Sequence, residues 1–162
     1  MEIYIVRHAI AEEVSKDGSD EARALTEDGR KKMKEAAQGF ARLERKIDRI
    51  YASPLVRARQ TAEILGAELK LSVHEMKELA PGYSPAQVCE KIARKKSEGN
   101  IAVVGHEPNC SELASYLLLG SSGASIEFKK GAICVIESRD GAPGTGDLLM
   151  HLSPAALRAL AR

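Results

Sequence analysis

The chain has 162 residues, of which 44% are hydrophobic and 29% charged, and its formal net charge is +1 at pH 7. This balance is typical of an ordinary globular protein, and it excludes a strong overall field that would recruit nucleic acid or a membrane surface. We expect a single domain over residues 1–162, with a core large enough to fold without metal or disulfide staples.

The first predicted element is a strand over residues 3–6, Ile-Tyr-Ile-Val, which Arg7 and His8 follow. A short run of β-branched and aromatic residues is typical of a strand buried on both faces. In an open α/β sheet the ligand crevice lies outside the carboxyl ends of the strands. Arg7 and His8 therefore lie where a site would be expected. Taken alone, two adjacent polar residues of this kind more often belong to an ordinary solvated loop.

A polar loop separates this strand from the first predicted helix. Thr26 suits an N-cap, and the acidic residues Glu27 and Asp28 stand in the first turn, where the helix dipole favours negative charge. Apolar residues then recur at helical spacing, which predicts an amphipathic helix from Glu27 to about Glu44.

The second predicted strand and helix adjoin one another. Residues 48–52 are predicted to form a short strand, and the next two residues to open a helix, with Ser53 as the cap and Pro54 at the first helical position. Apolar residues continue at helical spacing as far as Gly66, which we expect to end this helix. Arg57 falls in its first turn, where unpaired N–H groups already favour an anion.

The same alternation continues in the second half of the chain. A helix is predicted from Pro85 to about Lys96, one over Asn109–Leu119, and one that begins at Pro154; Ser84 and Ser153 are the expected caps of the first and last. An apolar run over residues 101–104 predicts another buried strand, which ends beside His106.

Two further strands, residues 132–137 and 148–152, flank a loop rich in turn-forming residues, so they are expected to pair as an antiparallel hairpin. Strands that alternate with helices predict a three-layer α/β/α sandwich whose sheet is mostly parallel, here with an antiparallel edge.

Three cysteines, Cys89, Cys110 and Cys134, lie far apart among apolar neighbours. An odd number at such spacing predicts reduced core residues rather than a disulfide framework or a Cys-x-x-Cys site. The N-terminus lacks the pattern of an export signal, and no apolar run approaches the roughly 18 residues of a membrane helix. We therefore expect a cytoplasmic protein.

Three predicted strand ends carry polar groups: Arg7 with His8, the turn that contains Arg57, and His106. Because the carboxyl ends of parallel strands meet at one edge of a sheet, we expect these groups to converge. Two guanidiniums and two imidazoles together would bind a tetrahedral dianion. Taken singly, Arg57 and His106 are more often an ordinary surface cation and a hydrogen-bonded strand-end histidine; the combination reverses that balance.

These residues resemble the histidine phosphatase superfamily, which includes the phosphoglycerate mutases, in segments that span residues 1 to about 110 in the family's order. The matching segments are Val6-Arg7-His8-Ala9, Leu25-Thr26-Glu27-Asp28-Gly29, Ser53-Pro54-Leu55-Val56-Arg57-Ala58-Arg59-Gln60-Thr61-Ala62, Glu78-Leu79 and Gly105-His106. The resemblance implies that His8 is the nucleophile that becomes phosphorylated. It also implies that Arg7, Arg57 and His106 bind the phosphoryl oxygens. Glu78 stands where the family's proton donor is usually found.

Physical chemistry agrees with these implied roles. A neutral imidazole can attack phosphorus in line while fixed cationic donors stabilise the charge on the remaining oxygens. Such donors can replace Mg²⁺, and the chain has neither a Gly-x-x-x-x-Gly-Lys loop nor a carboxylate cluster for that ion. We therefore predict that no metal or other cofactor is needed. We also expect a neutral His8 and a cationic His106 to titrate as a coupled pair near the unperturbed pKa of about 6.5, so that activity falls in acid.

Departures from the family pattern bear on the substrate. Ala9 replaces the family's usual Gly, as in many phosphohistidine phosphatases of the SixA type. Ala11 and Val14 stand where mutases and sugar-phosphate phosphatases commonly carry Ser or Thr and then Asn, which argues against a mutase. The stretch from Glu78 to His106 has room for one helix rather than a helical cap, which predicts a shallow, open site. Imidazole leaves more easily than an alkoxide, so the proton donor would matter less with phosphohistidine as substrate.

The sequence thus favours a phosphatase that acts on phosphohistidine in a signalling phosphotransfer protein, with no nucleic acid or membrane as partner. A phosphatase of small phosphate esters with the same chemistry is a second hypothesis. A third is a binding module that recognises a phospho-group without turnover, although a binder has no need of the nucleophile His8. A metal site built from His8 and His106 is a fourth, weakened because no carboxylate or Cys stands beside them at ligand spacing.

Overall fold

The computed structural model describes residues 1–162, and its centre is one six-stranded sheet. The strands are β1 (Glu2–Arg7), β2 (Arg49–Ala52), β3 (Val73–Glu75), β4 (Ile101–Gly105), β5 (Ile133–Glu137) and β6 (Asp147–Leu152). Their order across the sheet is β3-β2-β4-β1-β5-β6. The first four of these are parallel, whereas β5 runs antiparallel to β1 and β6 antiparallel to β5. The predicted parallel sheet with an antiparallel edge and a final hairpin is confirmed.

Five helices cover the two faces of this sheet. They are α1 (Glu27–Ala41), α2 (Val56–Leu69), α3 (Pro85–Ala93), α4 (Asn109–Leu119) and α5 (Pro154–Leu160). Buried side chains of α1, α2 and α5 join one hydrophobic cluster on one face, and those of α3 and α4 join a second cluster on the other. The three-layer α/β/α arrangement is therefore as predicted.

Strand β1 lies in the interior of the sheet, between β4 and β5. Its residues Ile3, Tyr4, Ile5 and Val6 are at most 1% exposed, in agreement with the prediction of burial on both faces. The parallel register sets Arg7 opposite Gly105, so β1 and β4 end side by side and the residues after each strand become neighbours.

Most helix starts follow the predicted capping. Thr26 accepts a hydrogen bond from the Gly29 N–H at 2.9 Å, and Ser84 and Ser153 cap α3 and α5 in the same way. The ends are less accurate: α1 ends at Ala41 rather than near Glu44, and α3 ends at Ala93 rather than near Lys96.

The predicted start of the second helix is wrong. Helix α2 begins at Val56, with Leu55 as an N-cap that makes no side-chain hydrogen bond, so Pro54 remains outside it. The hydroxyl of Ser53 lies 2.8 Å from Nε2 of His106 and does not cap the helix. The local pattern predicts that Ser53 caps α2, but its hydroxyl instead bonds to a residue from another strand end.

The predicted end of the same helix is also wrong. Gly66 lies inside α2, where an added Cβ would come within 2.6 Å of the Leu71 carbonyl oxygen. The glycine therefore permits close packing, and the helix ends at Leu69, after which Lys70 takes a left-handed conformation with φ of 57°.

Two kinds of element were not predicted from the sequence. Strand β3 has only three residues, and two single turns of 3₁₀ helix occur at Lys77–Leu79 and Lys96–Glu98. Apart from β4, only α3 and the second of these turns form regular structure between Glu78 and His106, which agrees with the absence of a helical cap.

The three cysteines are buried and unpaired, as predicted. None of the five helices combines the length and the apolar character that a crossing of the bilayer would require.

Candidate active site

The carboxyl ends of β1, β2 and β4 meet at one edge of the sheet. The His8 N–H donates to the Gly105 carbonyl at 2.9 Å, and the Ser53 N–H donates to the Val104 carbonyl at 3.0 Å. The residues that follow β1 and β2 are therefore both hydrogen-bonded to the end of β4. The ring centroids of His8 and His106 lie 5.2 Å apart. Two histidines separated by 98 positions in the sequence thus share one site.

The imidazole of His8 is oriented by its own backbone. Its Nδ1 lies 2.7 Å from the carbonyl oxygen of Ala9. Because a carbonyl only accepts hydrogen bonds, Nδ1 carries the proton and Nε2 keeps the lone pair. The Ala9 N–H in turn donates to Thr61 Oγ1 at 3.0 Å, and the Thr61 hydroxyl donates to the Arg57 carbonyl at 2.7 Å. These bonds tie the His8 segment to helix α2.

Arg7 reaches the site from the end of β1 and is held on its far side. Its Nη1 donates to the Phe128 carbonyl at 2.5 Å, and the Gly131 N–H donates to the Arg7 carbonyl at 3.1 Å. The loop that precedes β5 therefore fixes this guanidinium at one terminal nitrogen. Its Nε is buried and has no hydrogen-bond partner.

Arg57 enters the same site from the first turn of α2, and only 6% of its side chain is exposed. Its Nη1 donates to the Asp20 carbonyl oxygen at 2.7 Å, and its Nη2 donates to the Asp20 carboxylate at 2.9 Å. Its Nε, like that of Arg7, is buried without a partner. No pattern in the sequence points to Asp20, which lies in a polar loop with no motif around it.

His106 completes the group from the end of β4 and is 2% exposed. Its Nε2 lies 2.8 Å from Ser53 Oγ, which also accepts the Leu55 N–H at 3.3 Å. A Ser53 hydroxyl that donates to Nε2 leaves the imidazole proton on Nδ1. That Nδ1 is buried and has no partner. Sequence reasoning missed this role of Ser53, which it assigned to a helix cap.

Three buried side-chain nitrogens in the whole chain lack a hydrogen-bond partner: Arg7 Nε, Arg57 Nε and His106 Nδ1. Each of them can donate a hydrogen bond, and a buried donor without an acceptor costs about 1–3 kcal/mol. They belong to the three residues for which phosphoryl binding was expected. A tetrahedral oxyanion beside His8 offers the acceptors that these donors lack.

Both histidines are neutral at pH 7 in the free protein. Burial lowers the pKa of His8 to about 4, and the charges of Arg57 and Arg7 add to that effect against the Ala9 carbonyl, which raises it. Burial likewise lowers the pKa of His106 to about 3, with His8 and Arg57 as the next contributors. The two imidazoles are coupled as expected, since His8 lowers the pKa of His106. The expected pKa near 6.5 and the cationic His106 are wrong for the free protein, because that expectation left out desolvation and the two arginines.

Glu78 is buried in the 3₁₀ turn after β3, with its Oε1 3.2 Å from Nζ of Lys91 on α3. Burial by itself would raise the pKa of Glu78, but its own backbone N–H and Lys91 outweigh burial and hold that pKa below its usual range. No hydrogen bond or ion pair joins this carboxylate to the two arginines or the two histidines. The structure thus brings Arg7, His8, Arg57 and His106 together. Glu78 lies in the turn that packs against the end of β4, with its carboxylate paired to Lys91 rather than to any of these four residues.

Metal ligands are not clustered in this fold. No group of three or more His, Cys, Asp or Glu side chains is arranged to hold an ion. The two histidines of the site therefore have no third ligand of this kind beside them.

Comparison with known proteins agrees with this geometry. Residues 3–80 match the family model of the histidine phosphatase superfamily (branch 1). An uncharacterized protein of Picosynechococcus sp. is 35% identical over 141 residues, which cover 85% of this chain and 86% of that protein. The phosphohistidine phosphatase SixA of Escherichia coli K12 is 28% identical over 162 residues, covering 98% of this chain and 97% of that protein.

Two solved structures share the fold of this chain. The protein histidine phosphatase SixA complexed with tungstate matches with a TM-score of 0.86 and 28% identity, covering 97% of this chain and 99% of that one. A putative phosphohistidine phosphatase SixA from Agrobacterium tumefaciens shares the fold, with a TM-score of 0.79 at 20% identity over 94% of this chain and 97% of that one.

Proposed function

We propose that the substrate of this protein is phosphohistidine in a signalling phosphotransfer protein. The chain belongs to branch 1 of the histidine phosphatase superfamily, and its similarity to SixA within that superfamily identifies it as a phosphatase that works through a phosphohistidine intermediate. The observation that carries the proposal is the set of three unpartnered donors, on Arg7, Arg57 and His106, beside an unprotonated His8 nitrogen. The unpartnered nitrogens of Arg7, Arg57 and His106 serve to bind phosphoryl oxygens, and the unprotonated Nε2 of His8 serves as the nucleophile.

In the first step, Nε2 of His8 attacks phosphorus in line, and the bond between phosphorus and the substrate's imidazole nitrogen breaks. The Nδ1 proton stays on His8, bonded to the Ala9 carbonyl, so the orientation of the ring is kept through the step. The free donors of Arg7, Arg57 and His106 bind the phosphoryl oxygens, where a site of fixed dipoles stabilises charge without reorganising.

In the second step, water attacks the phosphorus of phosphorylated His8 and the bond from phosphorus to Nε2 breaks. The electron pair of that bond returns to Nε2, both protons of the water remain on phosphate oxygens, and the products are dihydrogen phosphate and the starting tautomer of His8. A developing dianion also favours the charged form of His106, against the burial that keeps it neutral in the free site.

Leaving-group chemistry supports phosphohistidine over an ester. A phosphohistidine protonated on its second ring nitrogen leaves as neutral imidazole, whose conjugate acid has a pKa of about 6.5, and needs no proton on the departing atom. An alkoxide must take a proton as it leaves. The site matches the first case better, because Glu78 is an ionised carboxylate paired with Lys91.

The shape of the fold and the relatives also support a phosphoryl group presented on a protein. Between Glu78 and His106 the chain forms only α3, one 3₁₀ turn and β4, so no inserted helices cover the edge of the sheet. SixA of Escherichia coli, a phosphohistidine phosphatase by name, aligns with the chain over nearly its whole length.

A side-by-side turnover assay tests this proposal. The substrates are a phosphotransfer domain phosphorylated on histidine and a panel of phosphate monoesters, all measured in excess EDTA, with His8→Ala as the blank. We expect kcat/KM for the phosphoprotein to exceed that for every ester by about a hundredfold or more, because only the ester reaction needs a proton donor.

Equal or better turnover of an ester would refute the substrate assignment. Binding of the phosphoprotein without release of phosphate would favour the non-catalytic binding module instead. Loss of activity in EDTA would refute the proposal that Arg7, Arg57 and His106 supply the positive charge that other phosphoryl-transfer enzymes take from Mg²⁺.

A further inference from the structure

The loop between β1 and α1 supplies the partner that holds Arg57. Asp20 uses two atoms for this contact, its backbone oxygen on Nη1 and its carboxylate on Nη2. Both terminal nitrogens of the guanidinium are therefore anchored on one side. The Nε, on a different edge of the planar group, is the nitrogen left without a partner.

The backbone around Asp20 is itself attached to helix α2. The Val56 N–H donates to the Glu21 carbonyl at 3.0 Å, and the Leu25 N–H donates to Gln60 Oε1 at 2.8 Å. Asp20 is additionally paired with Arg23 at 2.8 Å. Although its side chain is 55% exposed, these contacts fix where its carboxylate stands relative to Arg57.

We propose that Asp20 is a positioning residue, which orients Arg57 so that its Nε–H faces the phosphoryl group. The inference rests on the proposed oxyanion site and adds to it a residue that never touches the substrate. The guanidinium is a rigid planar fork, so fixing two of its nitrogens sets the direction of the third. Replacing the Asp20 side chain leaves the backbone oxygen on Nη1 but removes the carboxylate on Nη2, so Arg57 would keep its charge and lose one of the two contacts that set its direction.

The negative charge of Asp20 makes this inference easy to contradict. The carboxylate lies close enough to His106 to raise the pKa of that imidazole, so it also lies close enough to repel a bound dianion. Removing Asp20 therefore has two opposite effects on oxyanion binding. Loss of positioning weakens oxyanion binding, whereas loss of repulsion strengthens it. A lower affinity for phosphate therefore identifies Asp20 as a positioning residue, and a higher affinity means that it only competes with the oxyanion for Arg57.

Calorimetric titration with inorganic phosphate measures that sign on the intact protein. We expect Asp20→Ala to weaken phosphate binding about tenfold. Asp20→Asn retains an oxygen that accepts from Nη2, so it should stay within about threefold of the wild type. Asp17→Ala is the matched control, because Asp17 bonds only to Ser15 and Ser19 in the same loop and should leave binding unchanged.

A double-variant cycle tests whether Asp20 acts through Arg57. In an Arg57→Ala background, Asp20→Ala should cause no further loss, because the side chain that it orients is gone. Circular dichroism verifies folding, and Arg57→Met, which has no charge or donor for Asp20 to orient, replaces Arg57→Ala if the latter does not fold. Phosphate binding by Asp20→Ala that equals or exceeds wild type would overturn the inference, as would additive losses in the cycle.

These readouts separate the inference from the proposed substrate. A wild type that binds phosphate in an Asp20-dependent way but does not act on phosphohistidine would refute the substrate and leave the role of Asp20 intact. A wild type active on phosphohistidine with no effect of Asp20→Ala would do the reverse. No phosphate binding by the wild type would overturn the role of Asp20 in oxyanion binding, and turnover of the phosphoprotein would still decide the substrate.

Discussion

Two buried charged regions of this protein differ in how their hydrogen bonds are satisfied. Glu78 is 6% exposed and keeps its charge beside Lys91. Arg57 and His106 are also buried, and Arg7 is partly so, yet each of the three retains a buried donor nitrogen with no acceptor. A buried charge that the fold has already paired has its partner within the protein, whereas unpaired buried donors gathered in one place are available to a ligand.

This difference separates two residues that the family pattern treats alike. His8 and Glu78 both fall in motif segments, and a comparison of motifs alone gives each a chemical role. The structure leaves Nε2 of His8 unprotonated among free donors, and it pairs the Glu78 carboxylate. The contrast therefore predicts large losses for variants at the first region and small ones at the second.

The largest expected effect is at the nucleophile. His8→Ala should lower kcat by about a thousandfold or more, because a nucleophile acts as one unit with the groups around it. His74→Ala is the matched control: this exposed histidine on β3 takes no part in the site and should have near-normal kcat. Substantial turnover by His8→Ala would assign the attack to another residue.

Removal of one phosphoryl donor should cost less. Arg57→Ala should lower kcat/KM about a hundredfold, the usual cost of one oxyanion donor. Arg59 lies on the same helix, but its exposed guanidinium pairs only with Glu63, at 3.7 Å. Arg59→Ala should therefore change kcat/KM less than twofold. Similar losses for the two variants would mean that positive charge in general, rather than the unpartnered donor, accounts for binding.

Acid should destabilise the site through its histidines. The pKa of His8 in the fold is lowered to about 4, so between that value and the unfolded pKa of about 6.5 the unfolded chain binds more protons. Its contribution to stability is fully present above about pH 6.5 and is lost as the pH falls. From about pH 7 to about pH 5, the wild type should lose about 1–2 kcal/mol more unfolding free energy than His8→Asn does.

Urea denaturation at the two pH values measures this difference. An equal loss in the wild type and in His8→Asn would mean that His8 is as protonated in the fold as in the unfolded chain. That result would remove the unprotonated nucleophile on which the proposed first step depends.

The smallest expected effect is at the paired carboxylate. Glu78→Gln should change kcat for a phosphohistidine protein less than about threefold, because the departing imidazole needs no proton from it. Its ion pair with a half-exposed lysine also contributes only modestly to stability, about 1 kcal/mol or less. The same large loss of kcat with phosphohistidine and with an ester would contradict the leaving-group argument.

The sequence predicted the four central site residues because each lies at a local boundary. Arg7, His8 and His106 follow apolar runs that are readable as buried strands, and Arg57 stands near the start of an amphipathic helix. Since parallel strands share one carboxyl edge, local pattern and topology together bring these residues into one place. The same reasoning gave the layers and the antiparallel hairpin.

Failures occurred where a distant contact overrode a local pattern. Ser53 resembles a helix cap but bonds to His106, which is 53 positions away in the sequence. Gly66 resembles a helix stop but allows close packing against Leu71. The low pKa values of the histidines depend on burial and on neighbouring charges, which only the fold reveals.

Asp20 is the site feature for which the sequence had no signal. A single carboxylate in a polar loop is ordinary, and its importance depends on the guanidinium that it reaches, 37 positions away. Residues that act through another residue in this way have no motif of their own. In the structure they are visible only as the hydrogen-bond partners that hold a site residue in place.

Trapping the phosphoenzyme tests the central claim most directly. The protein is mixed with a phosphotransfer domain labelled on its phosphohistidine, quenched in alkali within the first turnover, and the labelled peptide is mapped. We predict acid-labile, alkali-stable label on His8 in the wild type and none in His8→Ala, since only the lone pair on Nε2 is placed among the free donors. Label on any other residue, or turnover with no labelled enzyme at any time, would contradict the account.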